Sequence, residues 1–157
     1  MAITDLKDYN EGKLRFEWVD LEEYPSKEEL LEHIQKFLGN NEEWFVTDYE
    51  ECVNLGEYPD LDELELAVSL GKIYGWEAVA RFYEYCHSLE DFEEAYQGVY
   101  DSEEDFAYEL ANDIYSEEQL GTLHNYIDWQ KFASDLFMGD YYSDTFGNYQ
   151  KVVFRVF

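Results

Sequence analysis

The sequence predicts an α+β fold: an elongated body of three small units in line. These are a small antiparallel sheet plus one helix, a centre of short helices, and C-terminal helices with a β-hairpin. Three observations predict it. Short aromatic and β-branched runs lie near the two ends of the chain, apolar residues in the middle recur at helical spacing, and no repeat or low-complexity linker interrupts the 157 residues. A chain of that length supports one ordinary domain or roughly two to three very small ones.

"AITDL" and "KLRFEWV" read as short strands joined by the turn "KDYNEG". Ser26 and Glu29 fit a capping box, and behind them Leu30, Leu31, Ile34, Phe37 and Leu38 form a helical stripe that stops at Gly39. "EWFVTDY" reads as a third strand, completing a unit over 1–57. The central unit, 58–100, contains helices marked by Leu61, Leu64 and Val68, by Trp76, Val79, Ala80 and Tyr83, and by Phe92 with Ala95 and Tyr96, the last ending at Gly98. In the third unit, 101–157, Ser102 opens a helix with Phe106, Leu110 and Ile114 facing inward. "DWQKFASDLFMG" gives another helix, and "DYYSDTF", the turn "GN" and "KVVFRVF" form a hairpin.

The net charge of −28 is far from the globular norm. High charge with few apolar residues gives disorder, but this chain is 46% hydrophobic and 19% aromatic, enough apolar surface to drive folding. The charge is also patterned. Between Arg81 and Lys131 lie fourteen acids and no Lys or Arg; between Lys36 and Lys72 lie ten more. One-signed fields of this kind attract partners of opposite charge, so a basic surface is the expected partner and neither nucleic acid nor an anionic membrane is. No apolar run approaches the roughly 18–20 residues that span a bilayer. "MAITDLKDYNEGKL" lacks a signal peptide's basic start and apolar core, so a cytoplasmic protein with reduced Cys52 and Cys86 in or near the core is expected.

No catalytic constellation or cofactor motif emerges. His33 lacks the second histidine of a zinc-protease pattern, Cys86 and His87 are adjacent and diverge on a helix, and Gly71–Lys72 lacks a phosphate loop's upstream glycine. "DLDELELAVSLG" begins like a calcium loop but lacks Gly at its sixth position and Glu at its twelfth. No enzyme activity, cofactor or dedicated metal site is expected. On the helix after Ser102, by contrast, Asp105, Glu109 and Asp113 follow at i, i+4, i+8, a column with about 6 Å between steps along the axis. Like charges at that spacing destabilise an isolated helix by a few tenths of a kcal/mol per pair. Duplex DNA carries one charge per about 1.7 Å, so 28 net charges correspond to about 48 Å of duplex, about 14 base pairs. A carboxylate column fits a groove built for that polyanion.

Particular segments resemble one family. "DLKDYNEGKLRFEWVDL" (Asp5–Leu21), "FVTDYE" (Phe45–Glu50) and "NYIDWQKFASDL" (Asn125–Leu136) with the closing hairpin are similar in order and spacing to the ArdA antirestriction proteins. The resemblance implies a non-enzymatic DNA mimic encoded on mobile elements, built of three small domains. It also implies an elongated homodimer in the bacterial cytoplasm that binds type I restriction-modification enzymes. It transfers no individual contact residues.

The expected mimic surface comes from the two windows instead. The first supplies Glu42, Glu43, Asp48, Glu50, Glu51, Glu57, Asp60, Asp62, Glu63 and Glu65; the second supplies Glu90, Asp91, Glu93, Glu94, Asp101, Glu103, Glu104, Asp105, Glu109, Asp113, Glu117 and Glu118. A dimer interface is expected where acids are sparse, in 119–157, around Asn125, Tyr126, Trp129 and Phe132. The competing readings are an acidic protein that inhibits another DNA-binding protein, and a salt- or solubility-adapted domain without mimicry.

Overall fold

A computed structural model of the protein describes residues Met1–Phe157. Its contacts divide the chain into two units, Met1–Leu89 and Glu90–Phe157. The mixed α and β content follows the expected class, with one antiparallel three-stranded sheet in each unit.

In the first unit β1 (Ala2–Asp5) is the middle strand and is buried throughout. The chain then turns through a short helix, α1 (Leu6–Asn10), into the edge strand β2 (Phe16–Trp18). A 3-10 turn (Leu21–Glu23) leads to α2 (Lys27–Leu38), whose Ser26 hydroxyl accepts from the Glu29 amide. Leu30, Ile34 and Leu38 are buried, and Gly39, at φ 65°, ends the helix where a side chain would be strained. The opposite edge strand, β3 (Trp44–Asp48), pairs antiparallel with β1. Two packed helices complete the unit, α3 (Leu61–Tyr74) and α4 (Trp76–Cys86).

The expected turn "KDYNEG" is therefore largely helix, and the cause is Asp5. Its buried carboxylate accepts from the Asp8 amide at 3.0 Å, capping α1, from Arg15 at 3.3 Å and from Asn41 at 2.8 Å. Arg15 also donates to the Phe37 carbonyl and stacks over the Phe37 ring at 4.8 Å. One carboxylate thus fastens β1, α1, the approach to β2, the end of α2 and the loop before β3.

The second unit begins with α5 (Phe92–Ala95), which passes directly into β4 (Tyr96–Tyr100). Next come α6 (Glu103–Ile114), a single turn α7 (Glu117–Leu120), a 3-10 segment (Gly121–Tyr126) and α8 (Trp129–Leu136). The hairpin β5 (Tyr141–Phe146) and β6 (Gln150–Arg155) follows as expected. Its last strand, β6, lies between β4 and β5, and the consecutive Val152, Val153 and Phe154 are all buried, so both faces of this strand are covered. Phe92 packs on Phe154, and Phe106 lies edge-on to Tyr100, Phe137 and Tyr141.

Several expectations are corrected. The helix expected to end at Gly98 stops at Ala95, because β6 offers residues 96–100 a strand partner; Gly98, at φ 125°, sits at an irregularity in that pairing. On α6, Phe106 is buried but Ile114 is 60% exposed, since the small Ala107 and Ala111 let the helix approach its neighbours closely and set its inner face. On α4 the buried residues are Ala78, Val79 and Phe82, one position away from most of the expected stripe. Cys52 is half-buried, but Cys86, at the last turn of α4, is exposed rather than in or near the core; neither is in a disulfide.

Burial alone would raise the Asp5 carboxyl, but the Asn41 hydrogen bond, the Asp8 amide and the Arg15 charge outweigh it and hold the pKa below the usual carboxylate value. A depressed folded pKa adds stability above the unfolded value of about 3.9, and that contribution is lost as pH falls through the folded value. Asp5→Ala is expected to lower the unfolding free energy at neutral pH by about 1–3 kcal/mol. It should also flatten the loss of stability below about pH 4, which denaturant titration at a series of pH values measures.

Candidate functional site

Residues 1–89 carry 22 acids against seven Lys and Arg, a net −15; residues 90–157 carry 16 against three, a net −13. The fold distributes these acids by three local rules. Some cap helices: Asp60 accepts the Asp62 and Glu63 amides at the start of α3. Others occupy first turns, where the helix dipole favours negative charge: Asp62 and Glu63 in α3, Glu93 and Glu94 in α5, Glu103, Glu104 and Asp105 in α6, and Glu117 and Glu118 in α7. A third group holds tertiary contacts. Asp62 pairs with Lys27, Glu63 accepts the Leu89 amide, Asp101 accepts from Gln150, and Glu103 accepts from the Ser143 hydroxyl.

Of the 22 expected surface acids, 19 are exposed, and only Glu63, Glu65 and Glu103 are half-buried. Glu42 and Glu43 precede β3, Asp48 ends it and accepts the Tyr49 amide, and Glu50, Glu51 and Glu57 lie in the loop that follows. Glu90 and Asp91 precede α5.

On α6, Asp105, Glu109 and Asp113 are all exposed, as their spacing predicts. None of them pairs with a Lys or Arg within 4 Å, and α6 itself contains neither residue type. Asp105 has a local role, since the Ser102 hydroxyl donates to it at 2.6 Å. Glu109 and Asp113 have no such role, and Asp113 stands in the last turn, where the helix dipole disfavours an anion. Their field is felt nearby. The Tyr100 hydroxyl is held above its ordinary value first by burial and then by the charges of Glu109 and Asp113.

Around the expected interface residues the structure builds an aromatic cluster. Tyr108 of α6, His124 of the 3-10 segment and Trp129 of α8 meet with ring centroids 5.0–5.6 Å apart, and Phe132 lies 6.2 Å from Trp129. Trp129 and Phe132 are half-buried in this packing, Asn125 is exposed, and Tyr126 is 84% exposed.

Two arrangements escaped the sequence reading. The His33 ring lies between the Tyr24 hydroxyl and the Glu17 carboxylate, 3.0 Å from each, and so ties β2 to α2. No spacing rule links positions 17, 24 and 33. Asp5 likewise lies in a run that reads as strand, where nothing in the sequence marks its carboxylate as buried. No three His, Cys, Asp or Glu side chains converge as metal ligands, and no helix is long and apolar enough to cross a membrane.

The family model described as Antirestriction protein (ArdA) matches residues 1–151. No curated protein and no solved structure shows a significant match to the chain.

Self-repulsion within each unit opposes compaction, and salt screens it over about 10 Å at 0.1 M ionic strength. The melting temperature, followed by circular dichroism, is expected to rise as NaCl increases from very low to moderate concentration. A flat response would mean that the carboxylates do not interact appreciably.

Proposed function

The chain belongs to the ArdA family of antirestriction proteins, and from that premise we propose that it inhibits a type I restriction-modification enzyme by occupying its DNA-binding groove in place of duplex. Antirestriction function and interaction with restriction-modification enzymes follow from family membership. Mimicry is the further step, and one observation carries it: the acidic column of α6 runs to the dipole-disfavoured end of the helix without a compensating cation. Capping and dipole effects account for the acids of the first turn, but they do not account for Glu109 and Asp113. A groove lined by Lys and Arg would supply the missing countercharge.

The protein acts here as a competitor, with no reaction and no cofactor. Its acids in both units, from Glu42 to Glu65 and from Glu90 to Glu118, take the place of phosphates, each contributing weakly. Inhibition of a different DNA-binding protein would use the same surface; a domain adapted only for solubility would not compete with DNA at all.

We place the homodimer interface at the exposed end of the 3-10 segment, around Tyr126, in a region where only Asp128, Asp135, Asp140 and Asp144 follow Glu118. Val152, Val153 and Phe154 are buried inside their own unit and offer nothing to a second copy. Asn125 lies beside Tyr126 on the proposed face, whereas Trp129 and Phe132 support it from within the aromatic cluster. Tyr126→Glu should give a folded monomer by light scattering, and a persistent dimer would move the interface elsewhere.

The functional test titrates the protein into a preformed complex of a type I restriction enzyme with labelled duplex. Displacement in proportion to occupancy is expected, and a stable ternary complex would overturn the proposal. Glu109→Gln alone should change affinity by under about 1 kcal/mol. Neutralising Asp105, Glu109 and Asp113 together should weaken binding by about 1–3 kcal/mol while the fold is retained.

A further inference from the structure

Away from α6, the first unit contains an open cleft of about 470 Å³ whose walls include Trp18, Trp76, Asp20, Glu22, Glu50 and Glu51. Its aromatic side is built firmly. Three ring atoms of Trp76 lie 2.7–3.0 Å from the point where a Cβ on Gly71 would stand, so one face of the indole rests on the backbone of α3. The indole N–H donates to the Glu22 carboxylate at 2.8 Å, which fixes the rotation of the ring. Trp18, on the edge strand β2, is 47% exposed.

The acidic side forms no ion pair with a Lys or Arg. The Asp20 carboxylate accepts the Glu22 amide, and Glu50 and Glu51 sit in the loop after β3. None of the four carboxylates has a Lys or Arg within 4 Å. Two cations border the cleft, the Met1 ammonium and Lys72, and each is held by a carbonyl: Val19 at 3.1 Å and Glu22 at 3.0 Å.

We propose that this cleft receives an arginine side chain of the basic partner protein, its guanidinium plane against the indoles and its N–H groups on the carboxylates of Glu50 and Glu51. Aromatic faces attract cations through their quadrupole. Guanidinium suits the cleft better than ammonium because it is planar, stacks on rings, loses its hydration more readily and donates in a fork that matches carboxylates. A phosphate backbone offers nothing like an indole face, so this contact adds to charge imitation instead of repeating it. The inference rests on the reading that the partner is a basic protein.

The test uses the full-length chain labelled with nitrogen-15, whose four tryptophans give four indole N–H signals. Nα-acetyl-arginine amide, its lysine counterpart and the neutral citrulline isostere are titrated in at constant ionic strength. The arginine derivative should shift the Trp18 and Trp76 signals saturably while Trp44 and Trp129 stay in place, the lysine derivative should bind more weakly, and citrulline should have no effect. Trp18→Ala, read at Trp76, should weaken arginine binding by about two- to fivefold. The double change Glu50→Gln and Glu51→Gln should do the same without touching either ring, and Glu28→Gln on α2 should leave binding unchanged. Equal shifts at all four indoles, citrulline as effective as arginine, or shifts that never saturate would overturn the inference. If arginine fails to bind while the protein still displaces duplex, the cleft proposal falls and the functional reading stands. If arginine binds but duplex is not displaced, the reverse holds.

Discussion

Mutual repulsion among carboxylates is the constraint under which the rest of the structure is arranged. Each unit folds with an excess of more than ten negative charges, so its apolar interior has to outweigh a force that grows as the chain compacts. The response is heavy use of aromatic side chains. Phe92, Phe106 and Phe154 anchor the second unit in edge-on and stacked contacts, burying a large area per residue. Charged side chains are kept out of both interiors with one exception. Asp5 is the only fully buried charged residue, and it is surrounded by an arginine, an amide side chain and a backbone N–H. A buried carboxylate without such partners would be expensive; with them it joins five segments of chain.

The same constraint sorts the surface acids. A helix N-terminus is the one backbone feature that welcomes an anion, and α2, α3, α5, α6 and α7 all carry acids in their first turns. Acidity of this kind stabilises the fold and says little about function. What separates α6 from the other helices is that its acids continue past the first turn with no Lys or Arg anywhere on the helix. The cleft in the first unit shows a related excess, in carboxylates that share its walls with two indoles and pair with no Lys or Arg. In both places local folding physics would favour a lysine paired to the carboxylates, and no such pair forms. These unrelieved sites, not the total charge, are where a partner's cations have most to gain.

Much of the fold was legible from the sequence because hydrophobic spacing and punctuation agreed. The stripe from Leu30 to Leu38 closed by Gly39, the Ser102 cap and the hairpin turn at "GN" each combined a period with a stop signal. The reading failed where a long-range partner overrode local pattern. Residues 92–98 carry helical spacing, yet β6, more than fifty positions later, draws 96–100 into a sheet. Ile114 falls at an inward position of the apolar period, but the small Ala107 and Ala111 define the helix's inner face. The reciprocal cap of Ser116 and Gln119 stands in the sequence as "SEEQ", but the helix it opens is a single turn with no apolar run behind it to give a helical period. Exposure of the acids was legible from their charge alone. The cleft was not, because Trp18, Glu50 and Trp76 meet only through tertiary folding.

The position of β6 has a consequence for how the protein is made. The first sheet has all its strands once residue 48 has been synthesised, so that layer can assemble while translation continues. The second sheet is built around its last strand, and until residues 150–155 leave the ribosome neither β4 nor β5 has a neighbour to pair with. During that interval the nascent second unit holds its aromatic core residues open to solvent, and the acids of 90–118 are then the main deterrent to association between chains. A charge excess that burdens the finished fold therefore protects the unfinished one.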